Sequence, residues 1–316
     1  MASSCEKGSG LRSADSSCRT ALSFVLITAA RNEARYIEST ISSVLSQSVL
    51  PLKWVIVSDG STDRTDDIVR DFLQRVPWME LVRMAEHPDR EFGAKARCFN
   101  AGYRVVASLP FDLVANLDAD VSFDADYFEY LLQKFADDPA LGVAGTPMRE
   151  ESHDPVKDGI FNEHDVFGAC QVFRRECFEQ IGGYTPIKGG GIDWVAVRTA
   201  RMLGWKTRSF MDKTFFHLRP MGATGSNVWM ARFNYGRKDY ALGNHPLWEF
   251  LRIAYQLTRK PLVAGGLLLL LGYMWALLTH EERPVSRELM MFHRREQIAR
   301  LRDMLKDILR KGTENE

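Results

Sequence analysis

Three acidic clusters each follow a short apolar run. Glu33 comes after Phe24-Val25-Leu26-Ile27, Asp59 after Trp54-Val55-Ile56-Val57, and Asp118 with Asp120 after Leu113-Val114-Ala115-Asn116-Leu117. Residues two apart on an extended segment point to the same side, so Asp118 and Asp120 project together. Hard oxygen ligands converging there suit a divalent cation, Mg2+ or Mn2+, of the kind usually shared with a diphosphate. A surface turn is the competing reading of a bare Asp-x-Asp tripeptide, and the chain holds a second copy, Asp124-Ala125-Asp126. That copy precedes Phe128, Leu131, Leu132 and Phe135 at helical spacing, where carboxylates complement a helix N-terminus and need no further role.

The elements that would position these clusters follow from the apolar periodicity. Ile37, Ile41, Val44 and Leu45 mark one helix face between the first two apolar runs, which makes a βαβ unit with a parallel strand pair. Ile68, Phe72 and Val76 mark the next helix after the turn Asp59-Gly60-Ser61-Thr62-Asp63, and Leu81-Val82 a third strand. A helix over 93–106 leads to the fourth strand, at Leu113 to Leu117. Beyond Pro147 the pattern weakens to a polar stretch over 149–158, a strand at 169–173 and a helix at 175–181. The glycines Gly182-Gly183 and Gly189-Gly190-Gly191 then bracket a loop, and Asp193 opens a helix through Val197, Ala200 and Leu203. Such alternation predicts an α/β fold with an open, mostly parallel sheet covered by helices on both faces. Ligands bind such sheets outside the carboxyl ends of the strands, where all three acidic clusters fall.

The chain has 316 residues, with 41 Lys+Arg against 41 Asp+Glu, so its zero formal charge argues against a nucleic-acid partner. Hydrophobic residues at 45% and charged residues at 26% exclude wholesale disorder, a collagen-like repeat and a polytopic transporter. The five cysteines (Cys5, Cys18, Cys98, Cys170 and Cys177) show no CxxC pair or metal-ligand spacing and read as reduced thiols. Residues 1–20 are Ser-rich without the apolar stretch of a signal peptide, and read as a disordered leader.

The ordered set TAARNE, SDGSTD, GAKARCFNAG and NLDAD resembles the inverting family 2 glycosyltransferases of the GT-A fold, over roughly residues 23–212. The family usually opens its first motif with Pro, where this chain has Thr28-Ala29-Ala30. The resemblance implies that Ala30, Asn32, Glu33, Asp59, Lys95, Asn100 and Asp118 contact a nucleotide-sugar donor, Glu33 and Asp59 holding its base and ribose. It implies that Asp120 belongs to the metal and diphosphate motif, with Mn2+ or Mg2+ as cofactor. Gly191-Ile192-Asp193-Trp194 is similar to the motif that supplies the family's general base, with Ile in the usual acidic position, which makes Asp193 the catalytic candidate. Its competing reading is a helix N-cap. In related enzymes a late histidine completes the metal site, so His217 is the further candidate, ahead of Arg219.

The last third has a different composition. Residues 262–278 form a 17-residue uncharged stretch, at the short limit for a spanning helix, with basic residues on both flanks. Before it, seven aromatics from Trp229 to Tyr255 interleave with Arg232, Arg237, Lys238 and Arg252, a composition suited to a membrane interface or to packing on the rest of the protein. Leu289, Phe292, Ile298, Leu301, Leu305 and Ile308 lie near helical spacing, fit for a membrane surface, a partner helix or local packing. The expected organisation is therefore a leader at 1–20, a catalytic domain at 21–219, an aromatic and basic segment at 220–260, an apolar membrane segment at 261–279 and an amphipathic helix at 284–311.

The expected function is metal-dependent inverting transfer of one sugar to a lipid-linked or glycan hydroxyl in polysaccharide or cell-envelope synthesis, at the cytoplasmic face of the cell membrane and in contact with membrane lipid. No QxxRW motif of processive synthases occurs, which favours single transfers over polymerisation. A polyprenol-phosphate sugar synthase, a nucleotidyltransferase and a noncatalytic membrane scaffold are the alternatives.

Overall fold

The computed structural model describes residues 22–86, 92–150, 163–187, 189–219, 228–259 and 261–313. The leader, Cys5, Cys18 and most of the polar stretch at 149–158 lie outside the described residues. The chain begins with β1 (Phe24–Ala30), α1 (Ile37–Leu45), β2 (Lys53–Ser58), α2 (Thr65–Leu73) and β3 (Met79–Arg83). It continues through α3 (Phe92–Val106), β4 (Leu113–Leu117), β5 (Val121–Ser122), α4 (Tyr127–Asp137), β6 (Leu141–Gly145) and β7 (Met148–Arg149). Next come β8 (Cys170–Arg174), α5 (Arg175–Gln180), α6 (Ile192–Met202), β9 (Lys206–Ser209) and β10 (Phe215–His217). Four helices end it: α7 (Val228–Ala241), α8 (Pro246–Leu257), α9 (Ala264–Leu278) and α10 (Arg287–Thr313).

The main sheet runs β3-β2-β1-β4-β8-β6-β9, and β8 alone among these strands is antiparallel to its neighbours. Alternate residues of β1 feed opposite cores, as period-two geometry requires. Phe24 and Leu26 pack with α1, α2 and α4, through Ile37, Ile41, Val69, Phe128 and Phe135. Val25 and Ile27 pack with α3, α5 and α6, through Ala96, Phe99, Phe178 and Ala196. The chain order reverses across β1, whose neighbours are β2 and β4, and this is the switch point at which open α/β sheets form a crevice.

A second sheet, β5-β10-β7, was not legible in the sequence because its strands span only two or three residues. It carries His217 back over the loop after β4, with His217 in register with Val121. Asp126 stands at the N-cap of α4, but its side chain makes no capping bond; the carboxylate pairs with Lys213 instead.

The described residues after 228 form four helices. The apolar stretch becomes α9, of 15 residues or about 22 Å, and no helix among the described residues is long and apolar enough to cross a membrane. It packs on α7 through glycines: a Cβ at Gly272 would lie 1.9 Å from the Phe233 carbonyl oxygen, and one at Gly236 2.0 Å from that of Leu269. Of the apolar residues expected to define α10, Leu289 and Leu301 are buried, joined by the polar His293 and Gln297, while Leu305 is exposed.

Candidate active site

The loops after β1 and β2 are stitched to each other by their own polar residues. Asn32 sits at φ 55, a left-handed conformation that Asn tolerates. Its backbone N–H donates to Ser61 Oγ at 3.2 Å, and its side-chain oxygen accepts from the Thr62 backbone N–H at 2.8 Å. The Glu33 N–H donates to Thr65 Oγ1 at 2.8 Å and the Ala34 N–H to Asp63 Oδ2 at 3.1 Å. Asn32 is thereby a bracket that aims Glu33, which lines the crevice.

The loop after β4 is held from α1 in the same manner. Thr40 donates to the carbonyls of Ala119 and Val121 at 2.9 Å, and Ser43 Oγ accepts from the Phe123 N–H at 3.0 Å. Gln47 donates to the Asp124 carbonyl at 2.8 Å and accepts from the Phe128 N–H at 3.1 Å. Thr40 and Ser43 lie one turn apart on α1 and Gln47 just past its end; being polar, they leave no trace in apolar periodicity.

A cavity of about 230 Å³ opens at the switch point, lined by Ala30, Glu33, Asp59, Lys95, Asp118 and Asp120 together with Arg31 and Arg219. Lys95 is paired with Asp118 and donates to the Gly168 carbonyl at 3.1 Å. Burial works against its charge, but Asp118, Asp193 and Asp120 outweigh burial and hold its pKa above the ordinary lysine value. Asp120 is raised by burial and by Asp118, against the pull of His217, Arg219 and Lys95. Asp59 is buried, approaches Arg31 at 3.6 Å, and with burial helps push the Cys98 thiol up to about 12. Cys98, Cys170 and Cys177 are free and buried.

Arg219 is the residue the sequence reading undervalued. Its guanidinium pairs with Glu33 and lies 3.2 Å from Asp120, so one cation joins the first motif to the fourth. His217 Nε2 stands 3.5 Å from Asp120 Oδ1, and its Nδ1 3.5 Å from Glu150. Asn100 does not line the cavity. Its amide donates to the Tyr184 carbonyl at 2.8 Å and accepts from the Tyr184 N–H at 3.3 Å, which fixes the loop that leads to α6.

Asp193 lies in the first turn of α6 and is not its N-cap, a place taken by Gly191 at φ 93. Its carboxylate rests on Gly168, where a Cβ would come within 2.4 Å of Oδ2. The same glycine's carbonyl accepts from Lys95 and from Asn116, at 3.1 and 2.6 Å, so Asp193 adjoins the wall of the donor-side cavity. Asp193 also lines a much larger cleft of about 1230 Å³ between the sheet edge and α7, α8 and α10. It therefore lines the large open cleft and stands behind Gly168 and Lys95 at the edge of the small acidic crevice.

Comparison with known proteins places this arrangement. The model of the family described as glycosyl transferase family 2 matches residues 25–159, which contain all four ordered motifs. Residues 25–159 are thus similar to a family 2 glycosyltransferase domain. A poly-beta-1,6-N-acetyl-D-glucosamine synthase of Staphylococcus epidermidis is 33% identical over 156 residues, which are 48% of this chain and 32% of that protein. A Staphylococcus aureus homologue of the same name is 32% identical over 147 residues, 46% of the chain and 31% of the relative. The chain thus spans about a third of the length of these relatives.

Solved structures agree on the fold of the glycosyltransferase domain. The mannosyltransferase PcManGT of Pyrobaculum calidifontis, in complex with GDP-Man and Mn2+, superposes with a TM-score of 0.58 at 18% identity, covering 82% of this chain and 88% of that one. S. aureus TarS 1-349 in complex with UDP-GlcNAc gives 0.53 at 14% identity, covering 86% and 78%. The sheet with helices on both faces is the GT-A fold expected from the motifs.

Proposed function

We propose that the protein is a metal-dependent inverting glycosyltransferase. It moves one sugar from a nucleoside diphosphate donor to a hydroxyl of a lipid-linked or glycan acceptor in polysaccharide or cell-envelope synthesis, at the cytoplasmic face of the cell membrane. The observation that carries the reading is the position of Asp193 between the acidic crevice and the large cleft.

In this reading the donor occupies the crevice at the ends of β1, β2 and β4. Glu33 and Asp59 take the base and ribose, and Lys95 and Arg219 face the diphosphate. Asp118, Asp120 and His217 offer a carboxylate and imidazole set suited to Mn2+ or Mg2+. The fit rests on charge: burial and the neighbouring Asp118 carboxylate raise the pKa of Asp120, a strain that a cation relieves. Among the described residues no ready-made metal cluster is assembled, because Lys95 and Arg219 hold these carboxylates. A bound divalent cation would offset the charge on the leaving diphosphate.

The acceptor enters through the large cleft. Its hydroxyl oxygen bonds to the anomeric carbon as the carbon–oxygen bond to the diphosphate breaks, and that electron pair leaves with the diphosphate. Asp193 takes the hydroxyl proton on the opposite face, which gives inversion. A single base is enough, without the paired acid and base of a glycosidase.

Calorimetry with UDP, GDP and dTDP, each with Mn2+ and then with chelator, tests the donor site. Binding of one nucleotide that disappears with chelator is expected. No binding of any of them to folded protein would remove the proposal.

A further inference from the structure

The helix α8 is inside out. Its buried residues are Glu249 and Gln256, 2% and 8% exposed, while Leu247, Phe250, Leu251 and Tyr255 face outward, Phe250 at 66%. Those four positions follow the i, i+3, i+4, i+8 spacing of one helix face, the pattern that in a soluble domain points to the core. The helix α9 continues the surface. It turns Gly265, Gly266, Leu269, Gly272, Tyr273 and Ala276 toward α7 and α8 and leaves Leu271, Trp275 and Leu278 exposed, Leu278 at 72%. A contiguous apolar surface of this kind marks a contact with something apolar.

Charge indicates what that contact is. Across residues 228–259 the acids Asp239 and Glu249 are buried, whereas the cations Arg232, Arg237, Lys238, Arg252 and Arg259 are partly or fully exposed, Arg237 beside Glu281 and Arg252 beside Asp239. An apolar face with aromatic rings and a rim of cations complements the acyl boundary and the anionic headgroups of a bilayer. The 15 residues of α9 are too few to span, so the geometry suits lying in the interface.

We propose that the outer face of α8 and α9 docks, without crossing, on the surface of an anionic lipid bilayer. This deepens the membrane location in the functional reading and gives it a surface. Trp248 and Arg252, on the same helix as Phe250 and Leu251, line the large cleft, so docking sets the cleft beside the headgroups, where a lipid-linked acceptor presents its sugar.

The test reads binding without turnover, so it stands or falls apart from the enzymatic proposal. The full chain is floated with vesicles of phosphatidylcholine alone and of phosphatidylcholine with phosphatidylglycerol. The protein is expected to float with the anionic vesicles, and less so at high salt. Phe250→Glu and Leu278→Glu, both at exposed positions, should each weaken binding about tenfold or more. Their circular dichroism and melting should match the wild type, and Leu278→Glu serves where Phe250→Glu fails to fold. Wild-type protein that stays unbound with both vesicles overturns the proposal, as do folded variants that bind like wild type. A lipid-free dimer that Phe250→Glu converts to monomer would assign the face to a second copy and overturn it too.

Discussion

The sheet half and the helical module solve opposite packing problems. Around the sheet, apolar residues from β1, β2 and β4 fill two cores, and the polar residues collect at the strand ends where the site lies. In the module a buried polar network lies beside a small apolar cluster of Tyr240, Tyr273 and Ala276. Asn244 donates to Glu249 at 3.0 Å, His293 Nε2 meets Asn244 Oδ1 at 2.9 Å, and Gln297 donates to the same oxygen at 3.0 Å. Burial therefore supplies cohesion in one region. In the other, backbone contact through glycine and a hydrogen-bond network supply it, with apolar surface left facing out. The two meet along α6, the helix that carries Asp193: Trp194 packs edge-on against His293, and Arg201 binds Glu296 at 2.8 Å.

The largest effect is expected at that seam. Asp193→Asn should lower turnover by about 10²–10⁴-fold, as removal of a general base does, with nucleotide affinity nearly unchanged. Single-turnover assays and calorimetry on the same variant separate the two, and full turnover would take Asp193 out of the mechanism.

Glycine substitutions compare the two regions directly. A Cβ at Gly272 meets a backbone carbonyl, which cannot yield, whereas one at Gly102 in α3 meets the Ile27 and Val57 methyls at 2.7 and 3.1 Å. Gly272→Ala should cost about 3 kcal/mol and Gly102→Ala less, since side chains can shift. Equal loss in chemical denaturation would show that the module does not depend on close backbone contact.

The strands β1 to β4 and β8 were legible, unlike β6 and β9, because their apolar runs and the helical spacings between them agree with tertiary burial, and carboxylates after such runs have few structural uses. The strands paired in the second sheet are too short to carry a period. Arg219 was hard to weigh because a lone arginine beside an apolar run signals nothing by itself; its meaning comes from being carried 186 positions back to Glu33. Asn100 illustrates the reverse, since a motif position fixed its residue type but not its partner, the Tyr184 backbone. In α10 the apolar pattern included the buried Leu289 and Leu301 but not the buried His293 and Gln297 between them. Polar residues that satisfy one another inside leave no periodic trace in hydropathy.

Arg219→Ala sharpens the contrast from the sheet side. The loss removes the cation shared by Glu33 and Asp120, so diphosphate nucleotides should bind about tenfold more weakly in the presence of Mn2+, roughly 1.4 kcal/mol. Vesicle binding through the module should be unaffected. Unchanged nucleotide affinity would make Arg219 a loop clamp only.

The smallest effect concerns the polar interior of the module. Burial pushes the Asp239 carboxyl up to about 7; Arg252 at 3.2 Å opposes this, while Glu249 adds to it. An acid whose folded pKa is raised contributes stability that is complete below its unfolded value, near 3.8, and is lost as pH rises through about 7. His293 does the opposite. Burial lowers it to about 4, so its contribution is complete above 6.5 and is lost as pH falls through 4. The two oppose each other in mild acid, and only a variant separates them. Relative to Asp239→Asn, wild-type protein should lose a few degrees in melting temperature between pH 5 and 8, roughly 1 kcal/mol. A difference that stays flat over that range would mean that Asp239 is charged throughout, held by Arg252, and that the polar interior is an ion pair and not a protonated network.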